Sequence, residues 1–386
     1  MLTEWRRSPD RAFRHRAGGA RVHGVGVEAL VRSALVRWML TRPRRVVFVV
    51  RVMLRAWVAK RRRERWQRRI NGPIPLVVAV SPTMRCNYDC AGCYSRGRGT
   101  DDELATEELD ALFGEAEELG VVAVVVTGGE PLLRDDILGL MARHTRLLFI
   151  LITNGSLVDR ETARSLGRSN NVVPVVSIEG FPADTDGRRR PGAHEAAVLA
   201  MGRLRDAGAF FGFAATNSAE NTRSVGSDEF VDQMVELGCA VGFFIEYVPC
   251  GPNPEWSWVL DEGARAAFRA RVLELRRTKP LLLSQFPHDE YGESNRCSAA
   301  GETSLHIGPE GDVEPCPFVA VGRDNVREGG LRAACESEFL RAVRESPVLL
   351  CRERLGCALF EHRDELMAVR ESLGACSTGG TRGSRG

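Results

Sequence analysis

Long apolar runs are absent from this 386-residue sequence, and acidic residues are scarce in its first part. No stretch approaches the ~18–20 apolar residues that a membrane-spanning helix needs, so a membrane-embedded protein is not expected. Residues 1–70 contain four acidic side chains against 20 basic ones, whereas residues 71–386 contain 47 against 33. The net charges of the two parts are therefore +16 and −14. A split of this size predicts a basic arm that meets an anionic surface, attached to a globular body.

Aromatic residues are also few, at 7% of the sequence, and the basic arm has few that could stack on nucleic-acid bases. The arm matches no nucleic-acid-binding motif either, so nucleic acid is not an expected partner. The remaining composition, 44% hydrophobic and 27% charged, excludes a disordered chain. No secretory leader is recognisable, because Arg6 and Arg7 are followed by further charge. We therefore expect a cytoplasmic protein, peripheral at the membrane if the arm meets lipid.

Cysteine, in contrast, is not scarce: the sequence has eleven, too few in this length for a small disulfide-stapled scaffold. In a reducing cytoplasm, clustered cysteines indicate metal binding, catalysis or redox chemistry. Seven of them fall into groups, namely Cys86, Cys90 and Cys93, then Cys297 and Cys316, and finally Cys351 and Cys357. The isolated ones are expected to be small buried hydrophobic residues or tail residues: Cys239, Cys250, Cys335 and Cys376.

The basic arm has a helical pattern over residues 27–70, with apolar residues at three- and four-residue steps. Pro43 interrupts this pattern and is expected to begin a second helix. In that helix Arg51 and Arg55 are four residues apart, which predicts one charged face on a helix that lies on a surface. An Asn-Gly-Pro segment at residues 71–73 then separates the arm from the rest of the chain.

After the arm, short apolar strands alternate with helical segments six times. This rhythm predicts an α/β fold with a parallel sheet, partly closed as a (β/α)6 barrel of the TIM type. A capping box of Thr100 and Glu103 is expected to open the first core helix. The predicted strands span residues 76–80, 121–126, 147–152, 172–178, 210–215 and 241–247. The predicted domains are a helical arm (1–70), a core barrel (71–255), a small domain with the later cysteines (256–373) and a disordered tail (374–386).

The first cysteine group begins just after the first predicted strand, where the βα loops of such barrels form the active face. Its three thiolates can wrap one metal centre. An iron–sulfur cube needs four ligands, so three would leave one iron open for another group. A zinc knuckle would need a fourth Cys or His nearby, and His144 is the nearest candidate. A bacterial ferredoxin loop would show two-residue gaps and a fourth cysteine beside a proline, so neither alternative matches well.

The Cys-x3-Cys-x2-Cys spacing of Cys86, Cys90 and Cys93 resembles the core motif of the radical S-adenosylmethionine (SAM) enzymes. The resemblance covers about residues 74–250 and implies that these thiolates bind the [4Fe–4S] cluster to which SAM binds. After the second strand, the run Gly128, Gly129, Glu130 and Pro131 resembles the family's GGEP loop, which binds the SAM amino group. Glycines let backbone carbonyls approach an ammonium group, and Glu130 offers a compensating charge.

Further motifs of the family follow in order at the ends of the next strands. Asn154 lies in a Thr-Asn-Gly turn, and Ser177 with Glu179 resembles the Ser-x-Asp-Gly of a large subgroup, with Glu in place of Asp. The resemblance assigns Ser177 and Glu179 to the ribose and carboxylate region of SAM. It assigns Arg189 to the SAM carboxylate, which a guanidinium group matches with paired N–H groups.

The sequence leaves two details of the SAM contacts open. Arg188 and Arg190 flank Arg189, so either neighbour is an alternative to it as the carboxylate-binding arginine. Gly92 stands where an aromatic residue often precedes the family's third cysteine. Tyr94 is expected to take over the packing near adenine.

Cys297 and Cys316 resemble the opening of the family's SPASM/twitch extension. In that pattern the second cysteine follows a glycine after four residues, as Cys316 follows Gly311. The turn at residues 309–312 is expected to form a hairpin that brings both thiolates to one end. A full SPASM domain adds a run of four cysteines, of which only the middle pair is present, as Cys351 and Cys357. The resemblance therefore implies one auxiliary [4Fe–4S] cluster on these four cysteines. A zinc site on the same thiolates is the alternative, and Cys335 or Cys376 could substitute as a ligand.

The resemblance implies an oxidoreductase-type enzyme that reductively cleaves SAM to a 5′-deoxyadenosyl radical, which abstracts hydrogen from an unactivated C–H bond. It implies an external electron donor, such as a ferredoxin or flavodoxin, and assigns no general acid or hydrogen donor. Three substrates stay open. One is a lipid-like compound reached as the arm docks on an anionic membrane surface. The others are an acidic precursor peptide bound by the arm and a small molecule of natural-product biosynthesis. A non-catalytic iron–sulfur carrier or regulator is the remaining alternative.

Overall fold

The computed structural model describes residues 43–291, 295–374 and 376–377. Its main sheet consists of β1 Val77–Val80, β2 Ala123–Val126, β3 Leu148–Thr153, β4 Val172–Ser177, β5 Gly212–Asn217, β6 Val241–Glu246, β7 Leu282–Phe286, β8 Ser304–Ile307 and β9 Val313–Glu314. The strand order is β7-β6-β5-β4-β3-β2-β1-β8-β9, and every neighbouring pair is parallel except β8 with β9. The sheet curls into a partial barrel, so the predicted α/β fold is confirmed, with three strands beyond the predicted six.

Helices alternate with the strands as the sequence predicts, but the first core helix begins later than expected. It starts at Thr106, and the predicted capping box is wrong. Glu103 instead accepts hydrogen bonds from Thr83 Oγ1 (2.5 Å) and Met84 N (3.1 Å), so it fixes the loop after β1. The helices are α1 Pro43–Gln67, α2 Thr106–Leu119, α3 Ile137–Arg143, α4 Arg160–Arg168, α5 Pro182–Arg188, α6 Ala193–Asp206, α7 Thr222–Val225, α8 Asp228–Leu237, α9 Glu262–Thr278, α10 Val326–Cys335, α11 Glu338–Glu345, α12 Ala358–Glu361 and α13 Arg363–Ser372.

The parallel register brings the carboxyl ends of the strands to one edge of the sheet. Val80 pairs with Val126, and Val126 pairs with Leu151, so the first three strands end side by side. The loops that leave these ends carry the cysteine, Gly-Gly-Glu-Pro and Thr-Asn-Gly motifs. Because ligands of parallel sheets bind outside the carboxyl ends of the strands, this edge is where a site is expected.

The outer face of the sheet forms the main hydrophobic core with the helices. Phe149 and Phe213 are fully buried there and meet helix residues Phe113 and Phe230 edge to face, at centroid distances of 5.1 Å and 5.6 Å. Such aromatic pairs contribute about 0.5–1.5 kcal/mol each beyond the burial of their area. This core fixes the strands on which the site loops depend.

The inner face of strands β3 to β6 carries a second apolar cluster. Val173, Val175 and Ala214 are buried in it, and the apolar side chains beside them are only partly buried. These partly buried members on the four strands are Leu148, Ile150, Ile152, Val241, Phe243 and Ile245. Because successive side chains of a strand point to opposite faces, this cluster faces the interior of the partial barrel. We call it the inner apolar face.

The arm helix α1 begins at Pro43, as predicted. It contacts the segments that precede β3 and β4, which lie at the end of the barrel opposite the cysteine loop. Phe48 stacks on Phe210 at a centroid distance of 3.8 Å and joins the inner apolar face. Arg55 donates hydrogen bonds to the carbonyls of Thr145 and Asn170, which precede β3 and β4. Arg51 Nη1 donates to Asn170 Oδ1 at 2.8 Å, so the predicted charged face of α1 is turned toward the strand starts of the barrel.

Seven large apolar side chains of α1 are exposed, namely Val46, Val47, Val50, Met53, Leu54, Trp57 and Val58. Residues 1–42, which include the first predicted arm helix, lie outside the described part. Among the described helices, none combines the length and apolar character that crossing a membrane requires.

The C-terminal region is joined to the barrel through its sheet. β8 pairs in parallel with β1, and the predicted hairpin turn at residues 309–312 connects β8 to β9. A short antiparallel pair follows, β10 Val321–Gly322 with β11 Cys376–Ser377. The segment predicted to be a disordered tail from residue 374 therefore contains a strand, because residues 376–377 find a pairing partner. Residues 378–386 lie outside the described part.

Candidate active site and cysteine groups

The first cysteine group lies in the loop that leaves β1. Cys90 is buried, Cys93 is half-buried and Cys86 is exposed. Burial raises the pKa of Cys90, and the charge of Cys93 adds to this effect, whereas the charges of Arg189 and Arg188 oppose it. Burial likewise raises the pKa of Cys86, and the charges of the other two thiolates contribute. The three thiols therefore share one electrostatic neighbourhood, in which two guanidinium groups favour the thiolate that binds metal.

Hydrogen bonds fix this loop and reach its sulfur atoms. Tyr88 N donates to Cys86 Sγ at 3.4 Å, and Cys93 Sγ lies 3.0 Å from Ser95 Oγ. Ala91 N donates to the carbonyl of Arg188 at 2.9 Å, which joins the loop to α5. Hydrogen bonds to thiolate sulfur are among the features that tune an iron–sulfur cluster, so these contacts suit such a ligand loop.

Gly128 and Gly129 lie against the backbone of the cysteine loop. A Cβ on Gly128 would lie 2.4 Å from Thr83 O, and one on Gly129 would lie 2.1 Å from Arg85 O. Gly128 also has a φ of 109°, which favours glycine. Pro131 begins a short 3-10 helix, Pro131–Leu133, that turns the chain away. The glycines therefore allow two strand-end loops to touch through their backbones.

Glu130 is fully buried, and its carboxylate binds groups of the protein itself. It accepts hydrogen bonds from Thr153 Oγ1 (2.9 Å), Asn154 N (2.7 Å) and Leu132 N (3.1 Å). Burial raises its pKa, and these hydrogen bonds act in the opposite direction. The side chain of Asn154 in turn donates to Asn87 Oδ1 at 2.8 Å, in the cysteine loop. Glu130 and Asn154 therefore join the loops after β1, β2 and β3 into one unit.

Glu179 forms the second buried carboxylate of the site, two residues beyond Ser177 at the end of β4. Arg189 binds its Oε1 through Nε (2.9 Å) and Nη2 (2.5 Å), Arg188 Nη1 lies 2.5 Å from the same atom, and Thr216 N donates to Oε2 at 2.7 Å. Burial acts to raise the pKa of Glu179, but the charges of Arg188 and Arg189 outweigh it, and the pKa lies below its usual value. Both arginines next to Cys90 are thus oriented by Glu179.

Tyr94 lies at the junction of the cysteine loop and the Gly-Gly turn. Its hydroxyl is 2.9 Å from Thr127 Oγ1 and accepts a hydrogen bond from Gly128 N at 3.3 Å. Burial raises the pKa of Tyr94 to about 12. Its ring also meets Phe318 edge to face at a centroid distance of 5.4 Å. The structure therefore brings Tyr94 against the Gly-Gly turn and against the C-terminal region, and its packing near adenine stays a prediction.

Two polar features at the sheet edge were missed by the sequence argument. Asn217 ends β5, is 1% exposed, and neither of its amide atoms is hydrogen-bonded within the described residues. His306 on β8 lies 2.8 Å from Ser81 Oγ and 2.6 Å from Glu314 Oε2, and Arg98 pairs with the same Glu314. The sequence could have indicated Asn217, because it is a polar residue at the end of an apolar strand. The His306 network depends on the pairing of β1 with β8, which no local pattern indicates.

Of the later cysteines, Cys297, Cys316 and Cys357 lie near one another, whereas Cys351 and Cys335 have other surroundings. Burial raises the pKa of Cys297 to about 12, and the charge of Cys357 adds to this effect. Burial and the charge of Cys357 also raise the pKa of Cys316. These three predicted ligands are therefore neighbours. Cys351 Sγ instead donates a hydrogen bond to the carbonyl of Pro347 at 3.3 Å. Cys335, the last residue of α10, is buried in the main hydrophobic core, as expected for a small hydrophobic residue.

The donor set of the first group fits an iron–sulfur cluster with one open iron. Within the described residues, no group of three or more His, Cys, Asp or Glu side chains is arranged to hold a metal ion. A cluster distributes its thiolates over several irons, so its ligands need not converge on one point. Three thiols in one loop, with cationic arginines behind them and a glycine-lined backbone beside them, match that requirement.

Comparison with known proteins supports the resemblance. Residues 80–214 match the family model of the Radical SAM superfamily. The chain is 29% identical over 231 residues to the Fe-coproporphyrin III synthase of Methanosarcina barkeri, covering 57% of this chain and 56% of that protein. It is 27% identical over 304 residues to the mycofactocin maturase MftC of Mycolicibacterium smegmatis, covering 73% and 75%. The crystal structure of Streptococcus suis SuiB bound to S-adenosylmethionine has the same fold, with a TM-score of 0.62, 19% identity and coverage of 71% and 68%.

Gly129 and Gly139 provide a matched pair of substitutions. A Cβ on Gly129 would meet Arg85 O, whereas one on Gly139, inside α3, meets nothing within 4 Å. We expect Gly129→Ala to lower the free energy of unfolding by about 1–3 kcal/mol and to weaken SAM binding, because the loop must move. Gly139→Ala should raise it by about 0.5–1 kcal/mol, since alanine favours helix. Urea unfolding and calorimetric SAM titration measure both, and equal SAM affinity in the two variants would contradict the proposed contact.

Replacing Glu179 by Gln removes the charge that balances two buried guanidinium groups. We expect the free energy of unfolding at pH 7 to fall by about 3–5 kcal/mol, the usual cost of removing one partner of a buried ion pair. The folded pKa of Glu179 is below its unfolded value of about 4.3, so this contribution is complete above that pH and is lost as pH falls through the folded pKa. The stability difference between wild type and variant should shrink in that acid range.

Glu118→Gln is the control for this experiment, because Glu118 is exposed on α2. It should change the free energy of unfolding by less than about 0.5 kcal/mol at any pH. A Glu179→Gln variant as stable as the control at pH 7 would be incompatible with a charge-balancing role of Glu179.

Proposed function

We propose that the chain is a radical SAM enzyme that removes a hydrogen atom from an unactivated C–H bond of an apolar, lipid-like or natural-product substrate. The observation that carries the substrate class is the inner apolar face of the barrel. The chemistry follows from the radical SAM domain, whereas the substrate is an inference from this chain's own residues.

The cofactors are a [4Fe–4S] cluster and SAM. In our proposal Cys86, Cys90 and Cys93 hold the cluster, and the glycine loop at residues 128–131 holds SAM beside it. When bound, the reduced cluster and SAM supply a carbon-centred radical that can abstract hydrogen. The protein contributes position, charge and the exclusion of water, as the following contacts indicate.

The charges around the first cysteine loop support this role. Arg188 and Arg189 lie near Cys90 and oppose the rise of its pKa, so they favour an anionic ligand set. Glu179 holds both guanidinium groups in place. We propose that these arginines also face the carboxylate of SAM, Arg189 being the one that the sequence pattern assigns. Their charge would then be shared between the internal carboxylate and the cofactor.

Ser177 completes the polar rim of this site in our proposal. Ser177 ends β4 on the same side as Val173 and Val175, because residues two apart in a strand share a face. By the same alternation Asn217 lies on the side of Phe213 and Ala215, which is the outer face of β5. SAM would thus lie at the polar end of the inner apolar face.

The inner apolar face supports a substrate with little charge. Ile150, Ile152, Phe243 and Ile245 remain partly exposed on it, whereas the outer face of the same strands is buried. Partly exposed apolar side chains gathered in a concave surface indicate a binding region more than a simple core. An aliphatic or polycyclic part of a substrate would bury this surface, with about 25 cal/mol gained per Å² of apolar area.

The position of the arm also bears on the substrate. Helix α1 closes the barrel end opposite the site, where Phe48 contacts the inner apolar face. This supports the interpretation in which the described part of the arm packs on the barrel. Contact of the arm with an anionic membrane surface or an acidic peptide stays a prediction. The exposed apolar side chains of α1 beside the basic run at residues 60–63 suit a lipid surface.

Maturation of a ribosomally made peptide is the second candidate function. It is favoured by the similarity to the mycofactocin maturase, which extends over 73% of this chain. A peptide that presents an apolar side chain to the inner face would satisfy the same geometry. The two candidates differ in which class of compound increases SAM turnover.

The test measures 5′-deoxyadenosine formed by the reconstituted chain with SAM and dithionite. Organic-soluble compounds, water-soluble small molecules and peptides from the host are added separately. We expect slow product formation with SAM alone and about a tenfold increase with the organic-soluble fraction, equivalent to about 1.4 kcal/mol of barrier. A Cys90→Ala variant should form no product.

The outcomes separate the proposals. No 5′-deoxyadenosine from a chain with full iron content would contradict the radical SAM reaction itself. Stimulation by the peptide fraction alone would replace the apolar substrate with the second candidate.

A further inference from the structure

We propose that Cys250, and not Cys351, is the fourth protein ligand of the auxiliary cluster, together with Cys297, Cys316 and Cys357. The proposal rests on the radical SAM assignment only in supposing that a cluster is bound at all. It is carried by strand geometry and by a closed series of contacts that joins the four cysteines.

Cys351 faces away from Cys297 because of how their segments pair. Arg296 and Cys351 form an antiparallel bridge, and Cys297 N donates to Leu350 O at 2.7 Å. Bridged residues point to the same side of the pair, whereas successive residues point to opposite sides. Arg296 and Cys351 therefore share one side and Cys297 takes the other. Arg296 Nη1 accordingly donates to the carbonyl of Ser346, close to the Pro347 carbonyl that Cys351 Sγ contacts.

Cys357 lies on the side of Cys297. Tyr291 forms an antiparallel bridge with Cys297, so their side chains point the same way. The hydroxyl of Tyr291 donates to Gly356 O (3.1 Å) and accepts from Ala358 N (2.9 Å), the residues on either side of Cys357. One aromatic side chain thus links the two cysteines through hydrogen bonds that fix the backbone of Cys357.

The end of β6 brings Cys250 to this group. A Cβ on Gly356 would lie only 2.1 Å from Glu246 Oε1, so the chain at Cys357 passes directly over the last residue of β6. Cys250 follows four residues later. A Cβ on the next residue, Gly251, would lie 2.8 Å from Cys93 O. Cys250 is therefore held between the Cys357 segment and the first cysteine loop.

Cys316 closes the series. Phe318, two residues after it, packs on Tyr94, and Tyr94 follows Cys93 in the first cysteine loop. The carbonyl of Pro315 accepts a hydrogen bond from Ala300 N at 3.1 Å, which ties the Cys316 turn to the segment after Cys297. Contacts therefore run from Cys297 to Cys357, to the β6 end, to the first cysteine loop, to Cys316 and back to Cys297.

The electrostatics agree with this grouping. Burial raises the pKa of Cys250 to about 12, and the charge of Cys357 is the next cause. The charges of Cys357, Cys297 and Cys250 all contribute to the raised pKa of Cys316. The other three thiols thus all act on Cys316, and four thiolates in one space need a compensating cation. A cluster of iron supplies that charge, and metal binding would then release their protons.

The experiment counts iron in a background that lacks the first cluster. Cys86, Cys90 and Cys93 are all replaced by Ala, and the full chain is reconstituted, so that the remaining iron reports the auxiliary site. We expect about four iron per chain in this background, as one [4Fe–4S] cluster requires. Adding Cys250→Ala should remove most of this iron or change the electron paramagnetic resonance spectrum of the reduced cluster. Adding Cys351→Ala should leave both unchanged.

Circular dichroism of each variant identifies any that fails to fold, and Cys250→Ser, which keeps size and polarity closer to the thiol, gives a second test at the same position. Neither measurement depends on SAM cleavage, so its outcome is independent of the proposed reaction. An unchanged cluster in both Cys250 variants, or loss of iron from Cys351→Ala, would overturn the assignment. One zinc per chain in place of the iron would contradict the proposal that these cysteines bind an iron–sulfur cluster.

Discussion

The burial of two carboxylates at the carboxyl edge of the sheet is the constraint on which the site depends. Glu130 and Glu179 are both fully buried, and a buried carboxylate is tolerated only when it is hydrogen-bonded or paired. Glu130 satisfies its oxygens with the loop after β3, and Glu179 satisfies its own with Arg188 and Arg189. Each of these two sets of contacts joins loops that follow different strands. The placement of the first cysteine loop follows from these bonds.

The same edge connects the barrel to the C-terminal region. The segment Cys93–Tyr94 contacts Gly251 on one side and Phe318 on the other, so the two cysteine groups lie against a common stretch of chain. A cluster on the second group would adjoin the site of the first. The inner apolar face begins beneath this edge, and α1 closes its far end. In our proposal, polar cofactor contacts at this edge and apolar contacts on the inner apolar face together form a site for a substrate with an apolar part.

Local pattern predicted much of this architecture. The six core strands were found to within two residues at each end, and the cysteine and glycine loops were placed correctly at strand ends. What the sequence could not supply are contacts between distant segments. Glu103 was assigned to a capping box because its hydrogen bond to Thr83 is not local. Cys250 was judged isolated for the same reason, since every other cysteine near it is separated from it by 47 residues or more along the chain.

Iron anomalous diffraction from crystals grown with SAM tests the central claim most directly. The account predicts one iron peak among the sulfur atoms of Cys86, Cys90 and Cys93, with SAM density beside Gly128 and Gly129. An iron-containing crystal with no iron at the first cysteine loop, or with SAM bound away from the Gly128–Gly129 turn, would contradict it.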